Sequence, residues 1–243
     1  MTSHLKLDEV DVDGAIRETA HEATEALAET GDTRLDFFKK AGIAGGSVMG
    51  GGLLFSALVP GTALGQAPKL DAPPASFGEG DIGILNYALT LEYLEAAFYN
   101  EANANNNKKK FITDAATRDF LKAVVRDENA HVKILKGILG NDAVKRPKFD
   151  FSGNTKREQA FVKTSFILEN TGVSAYSGQA FNIKDPAVLA GALSIVTIEG
   201  RHSGLIGQIL RGKKGIAPDG PTDVAVGAKK TLKAVEATGF IKG

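Results

Sequence analysis

The chain has 243 residues with 29 acidic and 29 basic side chains, so its formal net charge is zero. It contains no cysteine, which excludes disulfide frameworks, thiolate zinc sites, iron–sulfur clusters and cysteine nucleophiles. The charge is unevenly divided, because residues 1–67 carry 5 basic and 10 acidic side chains and residues 68–243 carry 24 and 19. The basic residues of the longer part are dispersed, and we expect no nucleic-acid partner.

The first 67 residues are predicted to be an acidic segment that ends in an export signal. Residues 33–40 read Thr-Arg-Leu-Asp-Phe-Phe-Lys-Lys, and residues 41–68 carry no charge and are rich in glycine and alanine. A basic start, an apolar middle and a small-residue end are typical of secretory signals. The segment resembles a twin-arginine signal in which Leu35 stands where the second arginine is expected. We expect cleavage after Ala67 and a location in the periplasm or cell envelope.

A membrane anchor that stays attached is the alternative for residues 41–67. The stretch from Gly42 to Val59 is rich in glycine for a spanning helix, which favours the cleaved signal. Residues 68–80 contain three prolines and are predicted to be a linker.

Four amphipathic helices are predicted over residues 81–211. Their predicted starts lie at or near Asp81, Thr113, Lys156 and Asp185. Asp81 is a suitable N-cap, and Asp185 is followed by proline at the first helical position. The second helix is expected to end at Gly140 and the fourth near Arg211. In the C-terminal region, residues 212–243, one more amphipathic helix over residues 222–237 is expected to pack outside the bundle.

A two-helix unit is used twice in this region. In the first and third helices a glutamate is followed seven residues later by a tyrosine, and in the second and fourth an aspartate precedes a Glu-x-x-His motif by 14 residues. The two copies differ in length by six residues, which matches Asn105–Lys110 and predicts an inserted loop there. The residues that show the repeat are Glu92, Tyr99, Asp114, Glu128 and His131, and Glu169, Tyr176, Asp185, Glu199 and His202.

The link between the two copies, residues 140–155, is long enough to run the whole length of the bundle. Sixteen residues can reach about 50 Å when extended, and a helix of 26 residues is about 39 Å long. The shorter links within each copy favour antiparallel hairpins.

The repeated Glu-x-x-His motifs predict a dinuclear metal site. Residues three apart project from one face of a helix, so each motif supplies a carboxylate and an imidazole. One further glutamate from each partner helix gives four carboxylates and two imidazoles, the set recognised from di-iron and di-manganese carboxylate bundles. Carboxylate oxygens are hard ligands that can bridge two ions, and each ion takes one nitrogen.

Taken singly, these residues have ordinary explanations. Glu128 or Glu199 alone would suit a surface carboxylate, and a lone histidine would suit the core or the surface. However, the only two histidines after residue 67 both follow a glutamate by three residues. Glu199 and His202 also lie within an apolar stretch, where a buried glutamate requires a cation.

Residues 82–210 resemble the ferritin-like superfamily, particularly the bacterial ferritin-like domain proteins, some of which are called desiccation-related. The resemblance covers just over half of the chain. It implies an all-α fold, a ferritin-like four-helix bundle with a long crossover between helices two and three, here with a C-terminal helix added. In this superfamily a glutamate and a tyrosine seven residues later are typical of the first and third helices.

The predicted metal ligands are therefore Glu92, Glu128, His131, Glu169, Glu199 and His202. Glu95 is the rival of Glu92, but its counterpart in the second copy is Gly172, so the repeat favours Glu92 as ligand and leaves Glu95 beside the site.

Four other side chains near the predicted site have alternative roles. Tyr99 and Tyr176 are candidates for a catalytic role, through hydrogen bonds to the ligand carboxylates or as electron donors, and otherwise pack in the core. Arg126 is expected either to pair with carboxylates near the site or to lie on the surface, as is Arg201. Asp127 is expected to be solvated.

The favoured hypothesis is a di-iron or di-manganese carboxylate oxidoreductase that acts on dioxygen or hydrogen peroxide, with ferroxidase-, peroxidase- or catalase-like activity and a role in oxidative stress. Two iron ions are the expected cofactor, with manganese as the alternative. Methionine occurs only at Met1 and Met49, so Met-ligated haem is excluded from the bundle. The alternatives are an exported structural or stress-protection protein with a structural metal site, and a metal-free scaffold. Homo-oligomer formation is left open.

Overall fold

A computed structural model describes residues 70–242. The predicted export signal lies outside the described residues. Among the helices of residues 70–242, none combines the length and the apolar character that a membrane crossing requires.

The predicted all-α bundle is confirmed. Its four long helices are α1 (Gly80–Lys109), α2 (Ala115–Leu139), α3 (Glu158–Gln179) and α4 (Pro186–Arg211), and a shorter helix α5 (Ala228–Thr238) follows. Helices α1 and α2 form one hairpin, and α3 and α4 form the other. The hairpins meet through α1 against α3 and α2 against α4, so that each helix turns one face towards a common interior.

The starts of α2 and α4 follow from their sequences. The Asp114 carboxylate accepts a hydrogen bond from the backbone N–H of Thr117 at 2.7 Å, and the Asp185 carboxylate accepts one from the N–H of Ala187 at 2.7 Å. Both aspartates thus satisfy backbone donors that a helix start leaves free.

The prediction that Asp81 is the N-cap of α1 is wrong. The N-cap is Glu79, two residues earlier, and α1 begins at Gly80. The Asp81 carboxylate instead accepts hydrogen bonds from the backbone N–H groups of Lys184 and Asp185, at 2.9 and 2.8 Å. Asp81, in the first turn of α1, therefore fixes the residues that precede α4.

The predicted loop at residues 105–110 is also wrong, because α1 continues to Lys109. Two asparagines in this stretch are held by neighbouring segments. The Asn106 side chain accepts a hydrogen bond from the N–H of Ile112 at 3.0 Å, and the Asn105 side chain donates to the Thr155 carbonyl at 3.2 Å. The additional residues of the first copy therefore lengthen its helix.

The crossover from α2 to α3 carries a short strand that the sequence did not predict. Strand β1 (Lys148–Phe149) pairs antiparallel with β2 (Ile241–Lys242). This pairing joins the crossover to the end of the chain after α5.

Helix α5 begins at a cap supplied by a distant part of the chain. The Asp71 carboxylate accepts a hydrogen bond from the N–H of Lys229 at 2.6 Å, and the Asp71 carbonyl accepts one from the N–H of Ala228 at 3.1 Å. The same carbonyl accepts a hydrogen bond from the Gln179 side chain at 3.0 Å. The stretch predicted to be a linker thus ties α5 to the end of α3.

The interior of the bundle is filled differently at its two ends. Where α1 and α4 end, Phe98 stacks on Phe161 with ring centroids 5.6 Å apart, and Phe120 packs edge-on against Tyr99 at 6.0 Å. We call this the aromatic end. Where α1 and α4 begin, the interior is lined mainly by aliphatic side chains.

Candidate metal centre

All six predicted ligands point into the interior of the bundle. Each of the four helices contributes a glutamate that is completely buried, and the two histidines are 5% and 6% exposed. Charged groups are almost never buried in this way without partners. The four glutamates are Glu92 on α1, Glu128 on α2, Glu169 on α3 and Glu199 on α4.

The first half of the site gathers around His131. Its Nδ1 atom lies 3.1 Å from a Glu128 oxygen, 3.1 Å from a Glu199 oxygen and 3.3 Å from a Glu92 oxygen. Each of these four residues places one ligand atom within 4.8 Å of a ligand atom from each of the other three. This group can hold a metal ion.

The second half gathers around His202 in the same manner. Its Nδ1 atom lies 3.0 Å from a Glu128 oxygen and 3.3 Å from a Glu169 oxygen. Glu199 completes this group, whose ligand atoms also lie within 4.8 Å of one another. Glu128 and Glu199 therefore belong to both groups, as carboxylates that bridge two ions must.

These spacings suit metal coordination. Two ligand atoms that are each about 2.1 Å from one ion, and at right angles, are about 3.0 Å apart. The nitrogen–oxygen distances of 3.0–3.3 Å around the two imidazoles agree with that value.

Several ligand atoms in the site lack hydrogen-bond partners. Among residues 70–242, eight buried side-chain polar atoms make no hydrogen bond, and six of them belong to this cluster. They are Glu92 Oε2, Glu128 Oε1, Glu169 Oε2, both Glu199 oxygens and His202 Nδ1. Leaving such atoms unsatisfied is costly, and a cation among them would satisfy them together. The donor set fits divalent iron or manganese.

The electrostatics of the cluster also favour positive charge. Burial raises the pKa of Glu128 to about 7, although the two imidazoles lower it. Burial raises the pKa of Glu199 well above its usual range, and the Glu128 carboxylate raises it further. Burial would lower the pKa of His202, but the Glu128 and Glu169 carboxylates outweigh that effect and raise it to about 11. The pKa of His131 is raised by its carboxylate neighbours in the same way. Without a metal, protons must therefore offset the carboxylate charge.

Tyr99 and Tyr176 make a reciprocal pair of contacts across the bundle. The Tyr176 hydroxyl donates a hydrogen bond to the Glu92 carboxylate at 2.6 Å, and the Tyr99 hydroxyl donates one to the Glu169 carboxylate. Each hairpin therefore orients a glutamate of the other. Electron donation by these tyrosines stays a prediction.

A second reciprocal contact confirms the internal repeat. The Glu158 carboxylate, at the start of α3, accepts hydrogen bonds from the backbone N–H groups of Thr113 and Asp114 at 3.0 and 2.9 Å. Asp81 makes the equivalent contacts with the residues before α4. The two hairpins thus make equivalent contacts with each other at the starts of α2 and α4.

Glu95 lies beside the ligand groups but belongs to neither. It is 3% exposed, and burial raises its pKa, followed by the nearby carboxylates, of which Glu199 contributes most. A Cβ atom added at Gly172 would make an ordinary contact of 3.5 Å with a Glu95 oxygen.

Asp127 is a site residue that the sequence interpretation missed, and the expectation that it is solvated is wrong. Its carboxylate accepts a hydrogen bond from His202 Nε2 at 3.2 Å, which directs the other ring nitrogen to the cluster. Asp127 also pairs with exposed Arg126 at 2.6 Å, while Arg201 lies on the surface. Burial would raise the Asp127 pKa, but Arg126 and His202 lower it. The only sequence signal for this role is its position next to Glu128.

Comparison with known proteins agrees with the fold. No curated protein matches the chain at a significant level. Residues 80–212 match the family model of the ferritin-like domain, and these residues include the whole bundle and all six predicted ligands. The match covers more than half of the chain, and the protein therefore belongs to the ferritin-like domain family.

Proposed function

We propose that the protein is a di-metal oxidoreductase that acts on dioxygen or hydrogen peroxide, with two iron ions as cofactor and manganese as the alternative. The observation that carries this proposal is the pair of overlapping ligand groups in which Glu128 and Glu199 are shared. Two adjacent ions with accessible lower and higher oxidation states supply two electrons to such an oxidant.

In this proposal the ligands have three distinct tasks. Glu128 and Glu199 would contribute a carboxylate to both positions. Glu92 with His131 completes the first position, and Glu169 with His202 completes the second. Six protein ligands shared between two ions leave coordination positions for the oxidant.

The tyrosines act as positioning residues for the outer glutamates. A hydroxyl that donates to one carboxylate oxygen restrains the side chain and leaves the second oxygen for the ion. This agrees with the contacts of Glu92, whose Oε1 atom accepts from Tyr176 and whose Oε2 atom faces His131. Partners of this kind commonly change metal affinity by about 10–100-fold when they are removed.

The two metal positions are not equivalent in their surroundings. His202 is held by Asp127 on its outer nitrogen, whereas the residue at the equivalent place near His131 is Ile198, which offers no acceptor. A carboxylate partner fixes the ring and increases the basicity of the ligand nitrogen. We therefore expect the His202 position to bind its ion more tightly than the His131 position.

Turnover by metal-loaded protein tests the proposal. Purified protein is loaded anaerobically with Fe(II) or Mn(II), and the consumption of dioxygen or peroxide is followed over many equivalents. Glu128→Ala and Glu199→Ala are each expected to lose at least one ion and the activity with it. Asp119→Ala is the matched control, because Asp119 lies on the exposed face of α2.

A structural role for the metal would give a different result. The ions would then stay bound without consuming either oxidant, and their removal would lower only the melting temperature. That outcome would support the alternative of an exported structural or stress-protection protein. Full metal content in both glutamate variants would contradict the assignment of the bridging ligands.

A further inference from the structure

A cavity of about 30 Å³ lies between the bundle helices, at the end where α1 and α4 begin. All four helices of the bundle contribute to its wall. Small or aliphatic side chains dominate the lining, among them Ala88, Leu135, Ala175, Ala192 and Ile195. None of the six predicted metal ligands lines the cavity.

The cavity lies one helical turn from the metal centre. Ala88, Leu135 and Ile195 are each four residues from a predicted ligand on their own helix, a rise of about 6 Å. Those ligands, Glu92, His131 and Glu199, belong to the first metal position.

One residue contacts both the cavity and the centre. The Tyr176 ring lines the cavity, and its hydroxyl donates to Glu92 at 2.6 Å. The cavity and the first metal position therefore share a wall.

The chemistry of the wall disfavours water. No charged side chain lines the cavity, and three lining residues carry a polar side-chain group, Tyr87, Tyr176 and Gln179. The buried Tyr87 hydroxyl makes no hydrogen bond and lies beside Thr231 of α5, and the polar groups of the other two are engaged elsewhere. Gln179 donates to the Asp71 carbonyl and accepts from Asn182, while Tyr176 donates to Glu92. Because a water molecule held in the cavity would need two to four polar partners, this apolar wall favours apolar molecules such as xenon over water.

The internal repeat explains why a cavity lies at this end of the bundle. Positions in α1 and α3 correspond at a displacement of 77 residues, and those in α2 and α4 at 71. By this rule Ala175 corresponds to Phe98, and Gly191 corresponds to Phe120. The two phenylalanines fill the aromatic end and are completely buried. Small residues at the equivalent places leave the other end open.

We infer that this cavity admits dioxygen and holds it beside the first metal position, so that dioxygen rather than hydrogen peroxide reaches the centre by this route. The inference rests on the proposed function and names its oxidant. A cavity must have about 10–15 Å³ of free volume to hold one water molecule. A cavity of about 30 Å³ therefore has room for a diatomic molecule. Hydrogen peroxide would lose its hydrogen bonds to water on entering a wall of this kind.

Xenon tests the cavity without depending on metal or turnover. Crystals or solutions of the purified protein are equilibrated with xenon, and binding is measured by anomalous scattering or by the ¹²⁹Xe chemical shift. Wild-type protein is expected to bind xenon between the four helices. Ala192→Leu places at position 192 the side chain found at the equivalent Leu121, and xenon binding should be lost.

Two further variants keep the test decisive. Gly191 also lines the cavity, and a Cβ atom added there would meet no other atom within 4 Å, so Gly191→Leu is the second filling variant if Ala192→Leu does not fold. Ala190→Leu is the matched control, because Ala190 lies on the exposed side of the same helix and the change adds the same atoms.

The rate of oxidation of the Fe(II)-loaded protein tests whether dioxygen reaches the metal centre through the cavity. In a filled variant we expect the rate with dioxygen to fall about tenfold, which corresponds to about 1.4 kcal/mol in the barrier. The rate with hydrogen peroxide and the iron content should remain those of the Ala190→Leu control.

The possible results separate the two proposals. Absence of xenon from the cavity, or an equal fall in the rates with both oxidants, would overturn the inference. Xenon in the cavity of a protein that binds metal but reduces neither oxidant would overturn the proposed function, and with it the role of the cavity in delivery.

Discussion

Because Gly172 has no side chain, it leaves room for the Glu199 carboxylate, and the substitution Gly172→Ala tests whether metal binding requires that room. Gly172 lies inside α3 and faces the bridging glutamate of α4. A Cβ atom built on Gly172 would lie 3.0 Å from Glu199 Oε2 and 3.5 Å from Glu95 Oε1. The first distance is shorter than an ordinary carbon–oxygen contact, so the Glu199 carboxylate must move by a few tenths of an ångström.

The expected loss of metal affinity follows from the narrow range of ligand distances that a metal site accepts. Ligand distances are held within about 0.2 Å, so the movement removes an oxygen from its place. We expect Gly172→Ala to weaken metal binding about 10–100-fold, or roughly 1.4–2.7 kcal/mol. In metal-free protein the Glu199 side chain can adjust. Alanine is favoured over glycine inside a helix by about 1 kcal/mol, so the metal-free fold should be no less stable.

Metal titration by calorimetry and thermal melts with a chelator measure the two effects separately. The matched control is Gly200→Ala on α4, where an added Cβ atom would meet no other atom within 4 Å. The control should bind metal as the wild type does. Unchanged metal affinity in Gly172→Ala would refute the placement of the Glu199 carboxylate. A large loss of stability without metal would show that the methyl group disturbs the helix packing instead.

Three more predictions follow from named contacts. Asp127→Asn should weaken the tighter of the two ions, at the His202 position, about 10–100-fold, because His202 loses the carboxylate that orients it, and calorimetry should then show that the two affinities no longer differ in favour of this position. Glu158→Gln should lower the free energy of unfolding by about 1 kcal/mol, the value of a helix cap, as measured by urea denaturation near neutral pH. The predicted export signal requires cleavage after Ala67, so mass spectrometry of the mature protein should find an N-terminus at Pro68.

Controls and contradicting results differ among these three. Asp119→Asn is the control for Asp127→Asn, because Asp119 is exposed and pairs only with Lys122 among the described residues. Equal weakening of both ions by Asp127→Asn would contradict its contact with a single position. A mature protein that starts at Met1 would contradict the cleaved signal.

The effect of Glu158→Gln also depends on pH. Burial would raise the Glu158 pKa, but hydrogen bonds from Thr113 and Asp114 outweigh it and lower the pKa. Because the folded-state pKa lies below the unfolded value of about 4.3, the stabilisation is complete above that value and is lost as the pH falls through the folded-state pKa. The stability difference between wild type and variant should therefore shrink in acid. A difference independent of pH would contradict the charge-dependent contact.

The repeated motifs made the bundle and its interior cluster predictable from the sequence. Glu-x-x-His places both side chains on one face whatever surrounds them, and its recurrence on two helices narrows the choice of interior faces. The repeat also favoured Glu92 over Glu95, and the structure brings Glu92 to 3.3 Å from His131.

Other features depend on contacts between segments far apart in the chain. Asp127 and its partner are separated by 75 residues, and helical spacing gives no information about that distance. Residues 105–110 are rich in asparagine, which favours loops, yet the Asn105 side chain finds a partner in Thr155, 50 residues away, and the helix continues. At residues 105–110 the tertiary contacts therefore favour the helix over the loop that the local sequence prefers.

The cavity is an intermediate case. The residue sizes that create it are visible in the sequence, since Gly191 and Ala175 stand where the first copy has phenylalanines. That comparison becomes informative only when the structure shows that these positions face the interior and that no other side chain fills the space.

Anomalous scattering at the iron and manganese edges, from crystals of the purified protein, tests the central claim most directly. The account predicts two metal peaks inside the bundle, one contacted by Glu92 and His131 and the other by Glu169 and His202, with Glu128 and Glu199 contacting both. A single peak, a peak elsewhere in the molecule, or no peak after loading with either metal would contradict it.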